Sequence, residues 1–178
     1  MRRLDDVVPQ RARDRLADLA LGSVPLVVGG ISGLATIDGV RGWYRTLDRP
    51  SWNPPDAVFG PVWTTLYGLM GASLVRIVRA REQPEPASRQ IALGLFAAQL
   101  ALNGAWSWIF FRRHALGAAL AEILVLWCAI VATIGATARV RPSAAALLLP
   151  YLAWVSFATV LTAEIWRRNR ARLAAARG

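Results

Sequence analysis

Five long stretches of this chain carry almost no charge, and they decide what it can fold into. Nineteen residues without an acidic or basic side chain lie between Asp18 and Asp38, and nineteen more between Asp56 and Arg76. Twenty-two lie between Arg89 and Arg112, and twenty-two between Arg141 and Glu164. The run from His114 to Ala138 holds Glu122 as its one carboxylate. A helix needs roughly 20 apolar residues to cross a bilayer core. In lipid the backbone must satisfy itself, which leaves helices or closed barrels. These runs are continuous rather than alternating, so they fit helices and not barrel strands. The expected fold is therefore all-α, an integral membrane bundle of five transmembrane helices at about 19–37, 57–75, 90–111, 114–138 and 142–163. A charged tail, 1–18, precedes this membrane domain (19–169), and a basic tail, 170–178, follows it.

The charges that remain act as punctuation. All 21 basic residues are Arg, and the formal net charge is +10. Because the basic residues are bunched between apolar runs rather than spread over a face, a nucleic-acid partner is excluded. The two sides of the expected bundle share the Arg almost equally, so the excess that orients membrane proteins is missing. Arg112–Arg113 and Arg139–Arg141 leave room only for tight turns, which makes the flanking helices antiparallel neighbours. Cys128 is the single cysteine and His114 the single histidine. No disulfide or metal cluster follows from them. Nothing resembles a hydrolase, transferase or metal-enzyme centre, and no cofactor is required.

The segment Gly42–Tyr67 carries the densest chemistry. It combines Trp43, Tyr44, Trp52, Trp63 and Tyr67 with Pro50, Pro54, Pro55 and Pro61. Proline fixes φ and extends the residue before it, so Pro50, Pro54 and Pro55 frame a stiff loop. An aromatic belt accounts for some of the rings. A lid, residues 38–56, over a cavity in the bundle accounts for both the rings and the prolines. In the third span, Gln99, Asn103 and Ser107 repeat every four residues on one helix face, with Trp106 beside them. Ala97, Ala101 and Ala105 form a small-residue stripe on the opposite face, suited to close packing against a second copy. The fifth span adds Trp154, Phe157 and Ala158. A pocket of this kind suits a large, flat, apolar ligand. Glu122, a carboxylate within a span, is a candidate functional acid.

The blocks WYRTLDRPSWNPP (Trp43–Pro55), VFGPVWTTLY (Val58–Tyr67), ALNGAWSWIFF (Ala101–Phe111) and LLLPYLAWVSFATVLTAEIWRRN (Leu147–Asn169) resemble the TspO family. That family joins bacterial tryptophan-rich sensory proteins with the mitochondrial translocator protein, the peripheral-type benzodiazepine receptor. The resemblance covers about residues 19–169. It implies a homodimeric five-helix receptor or regulator that binds porphyrins such as protoporphyrin IX and haem, and drug-like apolar ligands. The implied ligand positions are Trp43, Tyr44, Trp52, Trp63, Tyr67, Asn103, Trp106, Trp154, Phe157 and Ala158, with Ser107 added from the helix pattern. It also implies two alternatives. One is light-driven oxidation of protoporphyrin IX through Trp63 and Trp154; the other is transport of tetrapyrroles, lipids or sterols. The sterol motif of animal relatives is interrupted, because Ala163 stands where its Tyr would fall. A bacterial cell membrane is the expected location.

Overall fold

The structure, a computed structural model, describes residues 10–80 and 86–175. Residues 1–9 and 176–178 of the expected tails, and 81–85 of the second connection, lie outside the described residues.

Six helices make the five spans. They are α1 (Gln10–Arg41), α2 (Asp56–Val78), α3 (Pro86–Phe111), α4 (Leu116–Val140), α5 (Pro142–Ala146) and α6 (Leu149–Ala175). The first four each cross alone, and α5 with α6 forms the fifth, all of a length and hydropathy that span a bilayer. The chain is a multi-pass membrane protein. The fifth span is broken where the sequence suggested one helix. Pro150 has no N–H to give the Ala146 carbonyl, so the ladder is interrupted there, and Leu148 N–H turns back to Ala145 O at 3.0 Å. At its other end α1 runs on past residue 37 to Arg41, and a single 3-10 turn, Trp43–Thr46, starts the loop that follows.

The spans close into a ring. α1 packs on α2 and α3, α3 on α4, α4 on α5 and α6, and α2 on α5. Tight turns make α3 and α4 neighbours: the N–H groups of Arg112 and Arg113 both bond to Trp108 O, and His114 takes a left-handed φ of 54° to start the return. The core between the helices is fully apolar at Met70, Ile77, Ala92, Ala119 and Ala144. Where α1 crosses α2, Gly22 and Gly71 bring backbone against backbone, and a Cβ at Gly71 would collide with the Gly22 carbonyl. Ser73 Oγ donates to Ala144 O at 2.9 Å and ties α2 to α5. That contact sits at one end of the bundle. Towards the other end α2 and α6 are bridged by aromatic rings, and the cavity opens between them.

Candidate functional site

The cavity measures about 490 Å³ and is bounded by α1, α2, α3 and α6. Helical spacing explains its walls. On α2, Phe59, Trp63 and Tyr67 recur at every fourth residue and so share a face. On α6, Trp154, Phe157, Ala158, Leu161 and Ile165 share a face through steps of three and four residues. On α1, Gly29, Gly30 and Gly33 replace side chains with backbone and widen the space; all of these residues line it. Gly29 is also a close approach, since a Cβ there would run into the Tyr67 ring.

The aromatic rings form two sets, one on either side of the space. Trp63 stacks on Tyr67 with centroids 5.4 Å apart and meets Trp154 edge-on at 6.5 Å. Trp154 touches Phe59 at 5.9 Å and Phe157 at 5.4 Å. Across the space, Trp106 stacks on Phe110 at 5.0 Å and meets Phe111 edge-on. Edge and offset contacts are the favoured ring geometries, so the walls are preformed. Trp106 Nε1 is buried and makes no hydrogen bond among the described residues.

Of the expected ligand positions, Tyr44, Trp63, Tyr67, Trp106, Ser107, Trp154, Phe157 and Ala158 line the cavity, whereas Trp43, Trp52 and Asn103 do not. Each of those three is placed elsewhere for a physical reason. Asn103 is buried behind the wall: Tyr67 Oη donates to its Oδ1 at 2.6 Å, and its Nδ2 donates to Tyr151 Oη at 3.1 Å. It joins α2, α3 and α6, with one bond at each end of its amide. Trp43 turns away and stacks on His114, with centroids 4.2 Å apart. Trp52 lies at the surface, 46% exposed, its ring edge-on to Phe157.

The loop 42–55 adds Tyr44 to the lining and is held at several points. Tyr44 Oη donates to Asn53 Oδ1 at 2.6 Å, and Asn53 N–H closes a turn onto Pro50 O at 3.0 Å. The turn is where the proline frame acts, with Pro50 buried beneath it. Arg45 and Arg49 both reach Asp56, at 3.2 and 3.5 Å. Burial pushes the Tyr44 phenol above its ordinary value, opposed by the neighbouring Arg49 guanidinium. At the far side the loop is gripped by Asn169 of α6, which bonds the backbone of Asp48 at both its N–H and its C=O.

Pattern reading missed Asn169, Arg41, Phe59 and Phe111. Phe59 was recoverable, one helical turn before Trp63. Asn169 sits in an Arg-rich stretch and reads there as solvated.

Glu122 and the Ala stripe lie away from the cavity. Both carboxyl oxygens of Glu122, and both amide atoms of Gln99, are buried and unpartnered among the described residues. Ala97, Ala101 and Ala105 are exposed on the outer face of α3.

Together these features define a class: a five-span membrane protein whose helices bound an aromatic cavity beside a tethered loop. The chain matches the model of the TspO/MBR family over residues 21–167 and belongs to that family. It is 45% identical to the human translocator protein over 132 residues, covering 74% of this chain and 77% of the relative. It is 42% identical to the tryptophan-rich protein TspO of Chlorobaculum tepidum over 144 residues, covering 81% and 90%. The tryptophan-rich sensory protein of Cereibacter sphaeroides is 38% identical over 127 residues, covering 71% and 77%.

Proposed function

We propose that this protein is a membrane receptor or regulator that binds a porphyrin-type tetrapyrrole, with other flat apolar molecules as competitors, in the cavity between α1, α2, α3 and α6. The observation that carries this reading is the set of three tryptophans, Trp63, Trp106 and Trp154, around one space of about 490 Å³. Small-molecule sites are typically of this size, mostly apolar, with a few placed polar groups. Here those groups include Ser32, Thr36, Thr64, Ser107 and Thr162 on the walls, with Arg41 and Asp56 also in the lining. The rings offer faces for stacking, and the 42–55 loop shields a bound ligand from water.

The test is quenching of tryptophan fluorescence by protoporphyrin IX in the detergent-solubilised protein. Saturable quenching is expected. Trp63→Phe combined with Trp154→Phe should weaken binding by about tenfold, since each ring contact is worth about 0.5–1.5 kcal/mol. Quenching that never saturates would refute the reading.

A second reading rests on the edge-on approach of Trp63 and Trp154 at 6.5 Å. In it, these two rings support light-driven oxidation of the bound porphyrin by dissolved dioxygen, which takes up the electrons. It predicts light-dependent loss of the porphyrin band that disappears in the double Phe variant. Equal loss in empty micelles would rule it out. The site of action under either reading is a bacterial cell membrane, with two copies joined through the α3 face at Ala97, Ala101 and Ala105.

A further inference from the structure

Two charged side chains stand among the lining residues of the cavity, Arg41 and Asp56. Their situations differ. Asp56 is already neutralised twice, by Arg45 at 3.2 Å and Arg49 at 3.5 Å. Arg41 forms no ion pair among the described residues. Asp38, one turn earlier on α1, is exposed and does not pair with it. Arg41 also ends α1, where free carbonyls favour a cation but consume none of its charge. Arg41 is exposed at the edge of the cavity, and its unpaired charge stands beside walls that are chiefly apolar and aromatic. The fork of a guanidinium matches a carboxylate with two parallel hydrogen bonds. Low-polarity walls beside it strengthen that attraction relative to open water.

We propose that Arg41 is a specificity residue: it recognises an acidic group at the edge of the ligand, so the cavity selects flat aromatic molecules that carry a carboxylate over their uncharged counterparts. This rests on the ligand-binding reading above and deepens it. The ligand sits with its ring system among Trp63, Trp106 and Trp154 and its acid at the mouth, beneath the loop that begins at Gly42.

The experiment compares protoporphyrin IX, a diacid, with its dimethyl ester, on the detergent-solubilised full chain. Each is titrated against the native protein, Arg41→Gln, Arg41→Lys and Arg113→Gln. Arg113 is exposed, lies over the Trp108 ring and does not line the cavity, so it controls for net charge. Arg41→Gln should weaken the diacid by about tenfold, the scale of one partly exposed charge-assisted contact, and leave the ester unchanged. Arg41→Lys should lose less, keeping charge without the fork. Arg113→Gln should change neither. Equal losses for diacid and ester in Arg41→Gln, or no loss for either, would overturn the role of Arg41 while leaving the cavity reading intact. If neither compound binds the native protein, both readings fall together.

Discussion

Asn169 holds Asp48 by both ends of its carboxamide. The Asp48 N–H donates to Asn169 Oδ1 at 3.0 Å, and Asn169 Nδ2 donates to the Asp48 carbonyl at 2.9 Å. The two residues are separated by 121 positions in the chain, so this pair is what fastens the 42–55 loop to α6. The same Nδ2 also bonds to Ile165 O at 2.8 Å, which fixes the side chain before the loop arrives. Asn169 is only 2% exposed. Neighbouring Arg168 adds a longer contact to the Asp48 carboxylate at 3.5 Å.

Asn169→Ala should therefore release the loop without unfolding the bundle. Two hydrogen bonds to the loop backbone are lost, each worth about 0.5–1.5 kcal/mol net, together with the one to Ile165 O inside α6. Amide hydrogen exchange across 42–55 should speed up by about tenfold or more, while exchange in α3 and α4 stays the same. Arg168→Gln should have a much smaller effect, because its contact is exposed. Unchanged exchange in Asn169→Ala would show that the other loop contacts suffice.

Asn103 is the second joint. Its Oδ1 accepts from Tyr67 and its Nδ2 donates to Tyr151. Asn103→Leu leaves the buried Tyr67 hydroxyl without an acceptor, a cost of about 1–3 kcal/mol. A drop in thermal stability is expected. Combining it with Tyr67→Phe should recover part of the loss, since the orphaned hydroxyl is then gone. Full additivity of the two substitutions would deny the coupling.

The α1–α2 crossing depends on Gly71. A methyl group there has to displace the Gly22 backbone, whereas one at Gly68 meets nothing within 4 Å. Gly71→Ala should destabilise the protein clearly and Gly68→Ala should not, as read by the temperature at which each solubilised variant aggregates. Similar outcomes for the two would place the close approach elsewhere.

Tyr44 makes the loop sensitive to alkali. Its phenol is raised above the ordinary value of 10.0, first by burial and with Asp56 adding to it, while Arg49 pulls the other way. A group whose folded value is raised contributes stability that is complete below the unfolded value and is lost as pH climbs through the folded one. The Tyr44–Asn53 bond should hold from neutral pH to about 10 and fail above that. The difference in tyrosinate absorbance between the native protein and Tyr44→Phe should have its midpoint above 10. A midpoint at or below 10 would mean the phenol is not buried in solution.

The spans and several cavity rings were legible in the sequence because both depend on local rules. Uncharged runs mark helices, and the four-residue spacing of Trp63 and Tyr67 puts them on one face. What escaped were choices made between distant segments. Nothing local distinguishes Asn103, buried and bonded to two phenols, from Ser107, which lines the cavity four residues later. Trp43 and Trp52 were ligand positions implied by the family resemblance, on a loop whose rings and prolines suggested a lid. Their actual neighbours, His114 and Phe157, depend on how the loop lies across helices far along the chain. Asn169 was invisible for the same reason.

The outer face of α3 offers the last prediction. Ala97, Ala101 and Ala105 are spaced by one turn and all exposed, and Gly94 on the same helix has open space where a side chain would be. In lipid, helices associate by close packing of such small residues rather than by the hydrophobic effect. If two copies meet there, Ala101→Leu should push the backbones apart and lower the dimer fraction measured by cross-linking in the membrane. The fold should survive, because the new side chain points outward into lipid. Ala132→Leu, on the exposed face of α4, should leave the dimer unchanged. If Ala101→Leu cross-links as well as the native chain does, the copies meet through another face.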